Sequence, residues 1–174
     1  MMNSQYRIPL FAYAVLIMAL LYQTRVYIPQ LPPAVASHFT FSGEPNGFMS
    51  RESFKAFSLL TQGGVAGFFL LLALVIPRLP ASLISIPNSE FWLNGEYRAE
   101  SMVFLARSVL WMGALSFAFT LMIIQSTIRA NLSEVILLGR SFWISSGFYV
   151  GAMALLVWKL FEQFKLPEDP SVGA

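Results

Sequence analysis

The stretch from Ala56 to Pro77, AFSLLTQGGVAGFFLLLALVIP, decides the class of fold. It holds no charged residue, and Lys55 and Arg78 mark its two ends. A helix rising about 1.5 Å per residue needs roughly 20 apolar residues to cross a hydrocarbon core about 30 Å thick. The stretch is long enough, so we predict a membrane-spanning helix here.

The composition of the whole chain agrees with this prediction. Of 174 residues, 56% are apolar and only 11% are charged, whereas soluble proteins carry roughly 25% charged residues. Mean hydropathy is +0.64. These values exclude a soluble enzyme and a disordered chain. The chain has no cysteine, one histidine and no basic run, so we predict no metal, no cofactor, no catalytic residues and no nucleic-acid partner.

Three further uncharged stretches, residues 8–24, 108–128 and 141–158, lie between basic residues in the same way. The predicted spans are residues 8–27, 56–77, 102–126 and 141–161. We predict an all-α membrane protein, with residues 1–174 forming one domain of four transmembrane helices in an up-down bundle. A signal peptide cleaved after Ala34–Ala36 is the alternative for the first span. We reject it because the apolar run ends near Tyr22 and prolines intervene. Basic residues divide equally between the two sides, so charge alone does not orient the bundle.

Small residues suggest how two of the helices meet. Gly63 and Gly67 form a G-x-x-x-G in the second span, and Gly147 and Gly151 form another in the fourth. Such pairs let two helix backbones approach closely in lipid. Because both pairs lie at a similar depth, we predict a contact between these spans. The alternative is that glycine is simply common in membrane helices.

Arg107 is the one charge well inside a predicted span. One interpretation is that its side chain extends to the nearer headgroups. The other is a buried partner, since intramembrane charges are usually paired or functional. Glu96 and Glu100 are the nearest acidic candidates along the chain.

The first loop predicts an ordered cap on the bundle. Its Pro29–Pro33 stretch favours an extended path, Ser42–Gly47 is a turn signal, and Ser50 is suited to cap the second helix. His38 has four possible roles: a hydrogen bond to the loop backbone, proton sensing, contact with a partner, or a weak metal site with Glu44. The first is favoured, since one histidine and one carboxylate are too few ligands.

The same loop resembles the signature of a bacterial membrane domain of unknown function that also occurs in SdpI-type toxin-immunity proteins. The matching residues are Leu31-Pro32, Val35, His38-Phe39, Gly43, Pro45-Asn46-Gly47 and Ser50-Arg51. Ala36, Asn46 and Arg51 stand where the family usually has proline, aspartate and lysine. Ile86–Leu93, followed by Arg98, resembles a second family motif. The resemblance implies a cytoplasmic N-terminus and an extracytoplasmic first loop, and it does not imply an enzyme.

From these residues we expect a non-enzymatic protein of the bacterial inner membrane with both termini cytoplasmic. It would bind a membrane protein, a membrane-active peptide or a second copy through residues 29–51 and the neighbouring helix ends, in an immunity-like or signalling-like role. The candidate contact residues are Pro32, His38, Phe39, Gly43, Pro45, Asn46, Arg51, Asn88, Trp92 and Arg98. For Asn88, Trp92 and Arg98, anchoring in the lipid interface is the alternative. The other function classes are an accessory subunit of a larger membrane complex and a carrier of a small apolar ligand.

Overall fold

The computed structural model describes residues 4–166, and four of its helices are long and apolar enough to cross a membrane. In chain order the helices are α1 (Arg7–Tyr22), α2 (Arg51–Val75), the short α3 (Ser89–Trp92), α4 (Tyr97–Asn131) and α5 (Arg140–Gln163). A 3-10 turn, Ser4–Tyr6, precedes α1, and a π-helical turn, Gln23–Tyr27, and a 3-10 turn, Ile28–Gln30, extend it. All four predicted spans are confirmed as helices, which suggests a multi-pass membrane protein.

Helix α4 is the centre of the bundle. It is 35 residues long, and α1, α2 and α5 each pack against it. Its inward-facing side chains supply much of the core, including Leu110, Phe117 and Ile128. In contrast, no residue of α5 is buried. We call the end of the bundle where α1 begins and α5 ends the terminal end.

The predicted all-α class with an ordered first loop is confirmed, and the loop adds one short β-hairpin. The first loop is ordered, as predicted, but it contains an antiparallel hairpin of β1 (Ala34–Phe39) and β2 (Pro45–Ser50). Val35 pairs with Met49 and His38 with Gly47, with irregular register on both sides of His38. The strands are short, and β2 includes a proline and a glycine, so the sequence carries little β signal.

The start of α2 follows the sequence closely. The Ser50 hydroxyl oxygen accepts a hydrogen bond from the Ser53 backbone N–H at 3.0 Å, and Glu52 lies in the first turn. The cap satisfies a helix-end donor that has no partner within the helix, and the carboxylate faces the positive end of the helix dipole. The predicted cap is confirmed, and it fixes the point where β2 becomes α2.

The predicted contact between the second and fourth spans at the glycines of their G-x-x-x-G motifs is not formed among residues 4–166. A side chain added at any of the four glycines of the two motifs would meet nothing within 4 Å; these are Gly63, Gly67, Gly147 and Gly151. The close approach lies at Gly113 of α4, where an added Cβ would overlap Tyr13 Oη from α1 and Phe69 Cβ from α2. Whether the four glycines pack against another chain stays a prediction.

Candidate functional site: the hairpin cap

The hairpin rests on the end of α4, and Asn131 joins the two. The Asn131 side chain accepts from the Ala36 N–H at 2.8 Å and donates to the Ala36 carbonyl at 2.9 Å. It also donates to the Thr127 carbonyl at 2.9 Å. Asn131 thus pairs with β1 as a neighbouring strand would, and Ala36, which is 0% exposed, keeps both backbone groups satisfied. We call the hairpin and the helix ends it contacts the hairpin cap.

Arg51 holds the proline-rich entry to the cap. Its Nη1 donates to the Pro29 carbonyl at 3.2 Å and to the Leu31 carbonyl at 3.1 Å. Its backbone N–H donates to the Pro33 carbonyl at 3.0 Å. Pro32, which lies within the segment held by these hydrogen bonds, is half-buried. Arg51, a sequence candidate for partner contact, therefore has intramolecular hydrogen bonds that fix the entry path.

The tip of the hairpin is tied to the loop between α4 and α5. Gly43 has φ +90°, a left-handed conformation that favours glycine. The Leu138 N–H donates to the Gly43 carbonyl at 2.9 Å. A Cβ at Gly43 would lie 2.7 Å from the Leu138 carbonyl oxygen. Backbone conformation and the close approach of a second backbone both require a glycine here.

His38 does not play the role that the sequence favoured. Its side chain is exposed and has no hydrogen-bond partner among residues 4–166. Its ring instead lies over Gly47, whose added Cβ would come within 3.1 Å of the imidazole Cδ2. Arg51 and Asn131 order the loop. Contact with a partner stays open for His38, and residues 4–166 contain no group of three or more His, Cys, Asp or Glu that could hold a metal ion.

Two aromatic side chains of the cap project outward. Phe41 is 86% exposed and Phe48 is 58% exposed. The Phe41 ring lies 4.7 Å from the Trp143 ring of α5, centroid to centroid. We call Phe41, Phe48 and Trp143 the aromatic face. Of the other sequence candidates in the hairpin, Asn46 is exposed, whereas Phe39 and Pro45 are half-buried and pair with each other across the strands.

At the terminal end, Asn88, Trp92 and Arg98 make intramolecular hydrogen bonds. Asn88 Nδ2 and Trp92 Nε1 donate to the Phe164 carbonyl at 2.8 and 3.1 Å, which caps the end of α5. Arg98 donates to the Leu79 carbonyl at 2.9 Å. The second motif thus connects the loop after α2 to the last helix, and these residues lie at the opposite end of the bundle from the hairpin cap.

A cluster of glutamines beneath the cap was not predicted from the sequence. Gln23, in the π-helical turn, donates to Gln125 Oε1 at 3.0 Å and to the Leu121 carbonyl at 3.2 Å. Gln62 of α2 donates to Gln23 Oε1 at 3.2 Å. Gln62 is 0% exposed, and its own oxygen has no partner among the described residues. Glutamine within an otherwise apolar span was the available signal, because such side chains join helices in lipid.

The acidic partner considered for Arg107 is not found among residues 4–166, and the extension of its side chain to the headgroups stays a prediction. It is half-buried and forms no ion pair with Glu96, Glu100 or any other residue of the described part of the chain. Its guanidinium carbon lies 5.4 Å from the centre of the Phe104 ring, a cation–π contact. Its charge therefore has no acidic partner among residues 4–166.

One family of known proteins matches the part of the chain that contains the hairpin. No curated protein and no solved structure matches the chain. A family match covers residues 14–61, which include most of α1, the π-helical turn, the whole hairpin and the first part of α2. The match does not include α4 with Asn131, the loop at Leu138, or α5. Residues 14–61 are thus similar to a domain of unknown function, DUF1648.

Proposed function

We propose that the protein is a non-enzymatic multi-pass protein of the bacterial cytoplasmic membrane whose hairpin cap binds a second membrane protein or a membrane-active peptide. Both termini would be cytoplasmic and the cap extracytoplasmic. The role would be immunity-like or signalling-like. The similarity to DUF1648 supports the choice of the cap as the site, since the matched residues contain the hairpin.

One observation carries the proposal: the aromatic face stands on a backbone that is already fixed. Phe41 and Phe48 are exposed, while Asn131 and Arg51 hold the strands beneath them. Exposed aromatic side chains supply much of the contact energy at protein interfaces. Because the backbone is ordered before binding, little further entropy is lost when a partner arrives.

Site-specific photocrosslinking in intact cells tests the proposal. A photoreactive benzoyl-phenylalanine replaces Phe41 or Phe48, and irradiation is followed by separation by mass. We expect a discrete protein or peptide adduct at both positions. Phe11 is the matched control, because it is 70% exposed on α1 and remote from the cap. We expect only lipid adducts there.

A second variant links any adduct to the cap itself. Asn131→Ala removes the hydrogen bonds that hold β1 to α4, so it should lower the adduct yield at position 41. Identical adduct patterns at positions 11 and 41 would show that the aromatic face is a lipid anchor, and the proposal would fail.

The exposed surface of α5 favours a second candidate, an accessory subunit of a larger membrane complex. No residue of α5 is buried, and both Gly147 and Gly151 face open space. Helix surfaces with small residues are suited to close contact with another helix. Purification in mild detergent separates the two candidates. Fixed stoichiometry with another chain indicates a subunit, whereas a chain that runs alone indicates a stand-alone binding protein.

A further inference from the structure

Two adjacent cavities, which share lining residues, lie between α1, α4 and α5. The first, of about 320 Å³, is at the terminal end and has Gln5, Arg107 and Lys159 in its wall. The second, of about 620 Å³, continues toward the middle of the bundle and is lined mainly by apolar side chains, among them Val15 and Ala118. We call them the head cavity and the chain groove. Ile8, Trp111, Leu156 and Lys159 line both.

We propose that these cavities bind one anionic phospholipid, with its phosphate in the head cavity and an acyl chain in the chain groove. The two volumes fall within or near the range of ligand sites, roughly 300–1,000 Å³. A cavity with two basic side chains in its wall, next to an apolar groove that shares four of its lining residues, matches the shape and charge of an anionic lipid at the membrane boundary.

The charges of the head cavity carry the argument for an anion. Arg107 and Lys159 have no ion-pair or hydrogen-bond partner among residues 4–166. None of the described residues lining the head cavity is acidic. Glu100 lines an adjacent cavity that Arg107 also borders, but the two form no ion pair. Charges within membrane spans are normally paired. Basic hollows between transmembrane helices bind anionic headgroups, and a lipid phosphate would supply the missing charge.

The form of the chain groove favours a lipid chain over a helix of a second copy. Along α1 the groove runs from Ile8 to Leu16, about 12 Å at 1.5 Å per residue. A transmembrane helix would extend over the full hydrocarbon thickness of about 30 Å. A helix of a second copy seated here would also cover Lys159 without an evident counter-charge, which is costly in a membrane.

Trp111 provides a direct measurement, because it is the one tryptophan among the chain's four that lines the head cavity or the chain groove. Phosphatidylglycerol with brominated acyl chains quenches tryptophan fluorescence on contact. We titrate it into the full-length protein in detergent and subtract the signal of Trp111→Phe. The difference should show saturable quenching. Brominated phosphatidylethanolamine with the same chains should quench Trp111 at least roughly tenfold more weakly.

Two variants separate charge from shape. Arg107→Gln/Lys159→Gln should raise the half-saturation concentration at least roughly tenfold. The matched control is Arg78→Gln/Lys165→Gln, which removes the same charge from residues that line neither cavity and should bind like the wild type. Ala118→Phe fills the groove while keeping both cations, so it should remove the saturable quenching and serves if the charge variant does not fold.

Several results would overturn the proposal. One is equal quenching by the two lipids, and another is unchanged affinity in Arg107→Gln/Lys159→Gln. Displacement of the lipid by inorganic phosphate alone would reduce the site to an anion site without a chain groove. Concentration-dependent dimerisation that Ala118→Phe abolishes and phosphatidylglycerol does not affect would assign the groove to a second copy.

Discussion

The two sides of α4 are built differently. Toward α1 and α2, Gly113 admits Tyr13 and Phe69 against the α4 backbone, and Phe117 is 0% exposed. Toward α5, the specific contacts are a pair of stacked rings and a pair of hydroxyl groups. The Tyr149 ring stacks on Phe119 at 4.0 Å, its hydroxyl lies 3.2 Å from the Ser116 hydroxyl, and no residue of α5 is buried.

This difference shows what apolar composition does and does not determine in a membrane. Both sides are lined by helices apolar enough to span it. Lipid chains are as apolar as leucine, so burying a side chain against another helix brings no hydrophobic gain. Close packing needs a small residue at the crossing or a hydrogen bond between helices. The side of α1 and α2 has both, and the side of α5 has a single hydroxyl contact with α4.

The largest effect should follow from Gly113→Leu. The new side chain would overlap Tyr13 and Phe69, so α1 and α2 would both have to move away from α4. We expect a loss of at least about 3 kcal/mol in the free energy of unfolding, or failure to assemble, as for a strongly overpacked core. Reversible unfolding in mixed micelles, followed by circular dichroism, measures it.

The comparison is sharpened by the smaller change Gly113→Ala. A single Cβ already overlaps the same two neighbours, so this variant should also destabilise, though less. If Gly113→Leu unfolded like the wild type, the tight packing of α1 and α2 on α4 would be wrong.

The second largest effect should come from Asn131→Ala, which removes the side-chain hydrogen bonds between the end of α4 and β1 of the cap. The substitution leaves the buried Ala36 N–H and carbonyl without partners. An unsatisfied buried backbone group costs about 1–3 kcal/mol, so we expect a loss of about 2 kcal/mol. Hydrogen exchange should accelerate in residues 34–50. Asn46→Ala is the control, since Asn46 is exposed. Unchanged exchange in Asn131→Ala would contradict the assigned role.

Much of the fold followed from the sequence because charge boundaries are a strong signal. The four predicted spans lie within α1, α2, α4 and α5 together with the helical turns Gln23–Tyr27 and Ile76–Arg78 that extend α1 and α2. The Ser50 cap was also predictable, since its hydrogen bond is local. The helix contacts were not predictable, because a G-x-x-x-G shows where two helices are able to approach, not that they do. Gly113, which stands in no such motif, makes the close approach.

In the hairpin cap, the features set by neighbouring residues were predictable from the sequence, and the long-range contacts were not. The turn at Gly43 and the ordered loop follow from local residues. The partner of the hairpin does not, because Asn131 lies 95 positions from Ala36 along the chain. Nothing near His38 indicated that a distant asparagine, rather than this histidine, would hold the strand.

A moderate effect is expected at the glutamine cluster, which joins the end of α1 to α2 and α4. Gln23→Leu removes hydrogen bonds to Leu121 and Gln125 and takes away the acceptor of Gln62. Hydrogen bonds between membrane helices contribute about 1 kcal/mol or less each, so we expect a loss of about 1 kcal/mol. A double-mutant cycle with Gln62→Leu measures the Gln23–Gln62 coupling. Additive losses in this cycle would show that the two side chains act independently.

The smallest effect is expected from Gly67→Leu and Gly151→Leu, which test the open surfaces. A Cβ added at either position has no neighbour within 4 Å, and leucine favours a helix more than glycine does by about 0.5–1 kcal/mol. The free energy of unfolding of the isolated chain in detergent should therefore stay within about 0.5 kcal/mol of the wild type or rise slightly. This expectation reverses the one that the G-x-x-x-G motifs alone suggest, in which leucine would force two helices apart. The informative contrast is between detergent and native membranes. A variant that is stable when isolated but loses a co-purifying chain would show that another helix covers α5, in agreement with an accessory subunit. A loss of 1 kcal/mol or more in the isolated chain would instead mean that these glycines pack within the bundle, and the comparison between the two sides of α4 would not hold.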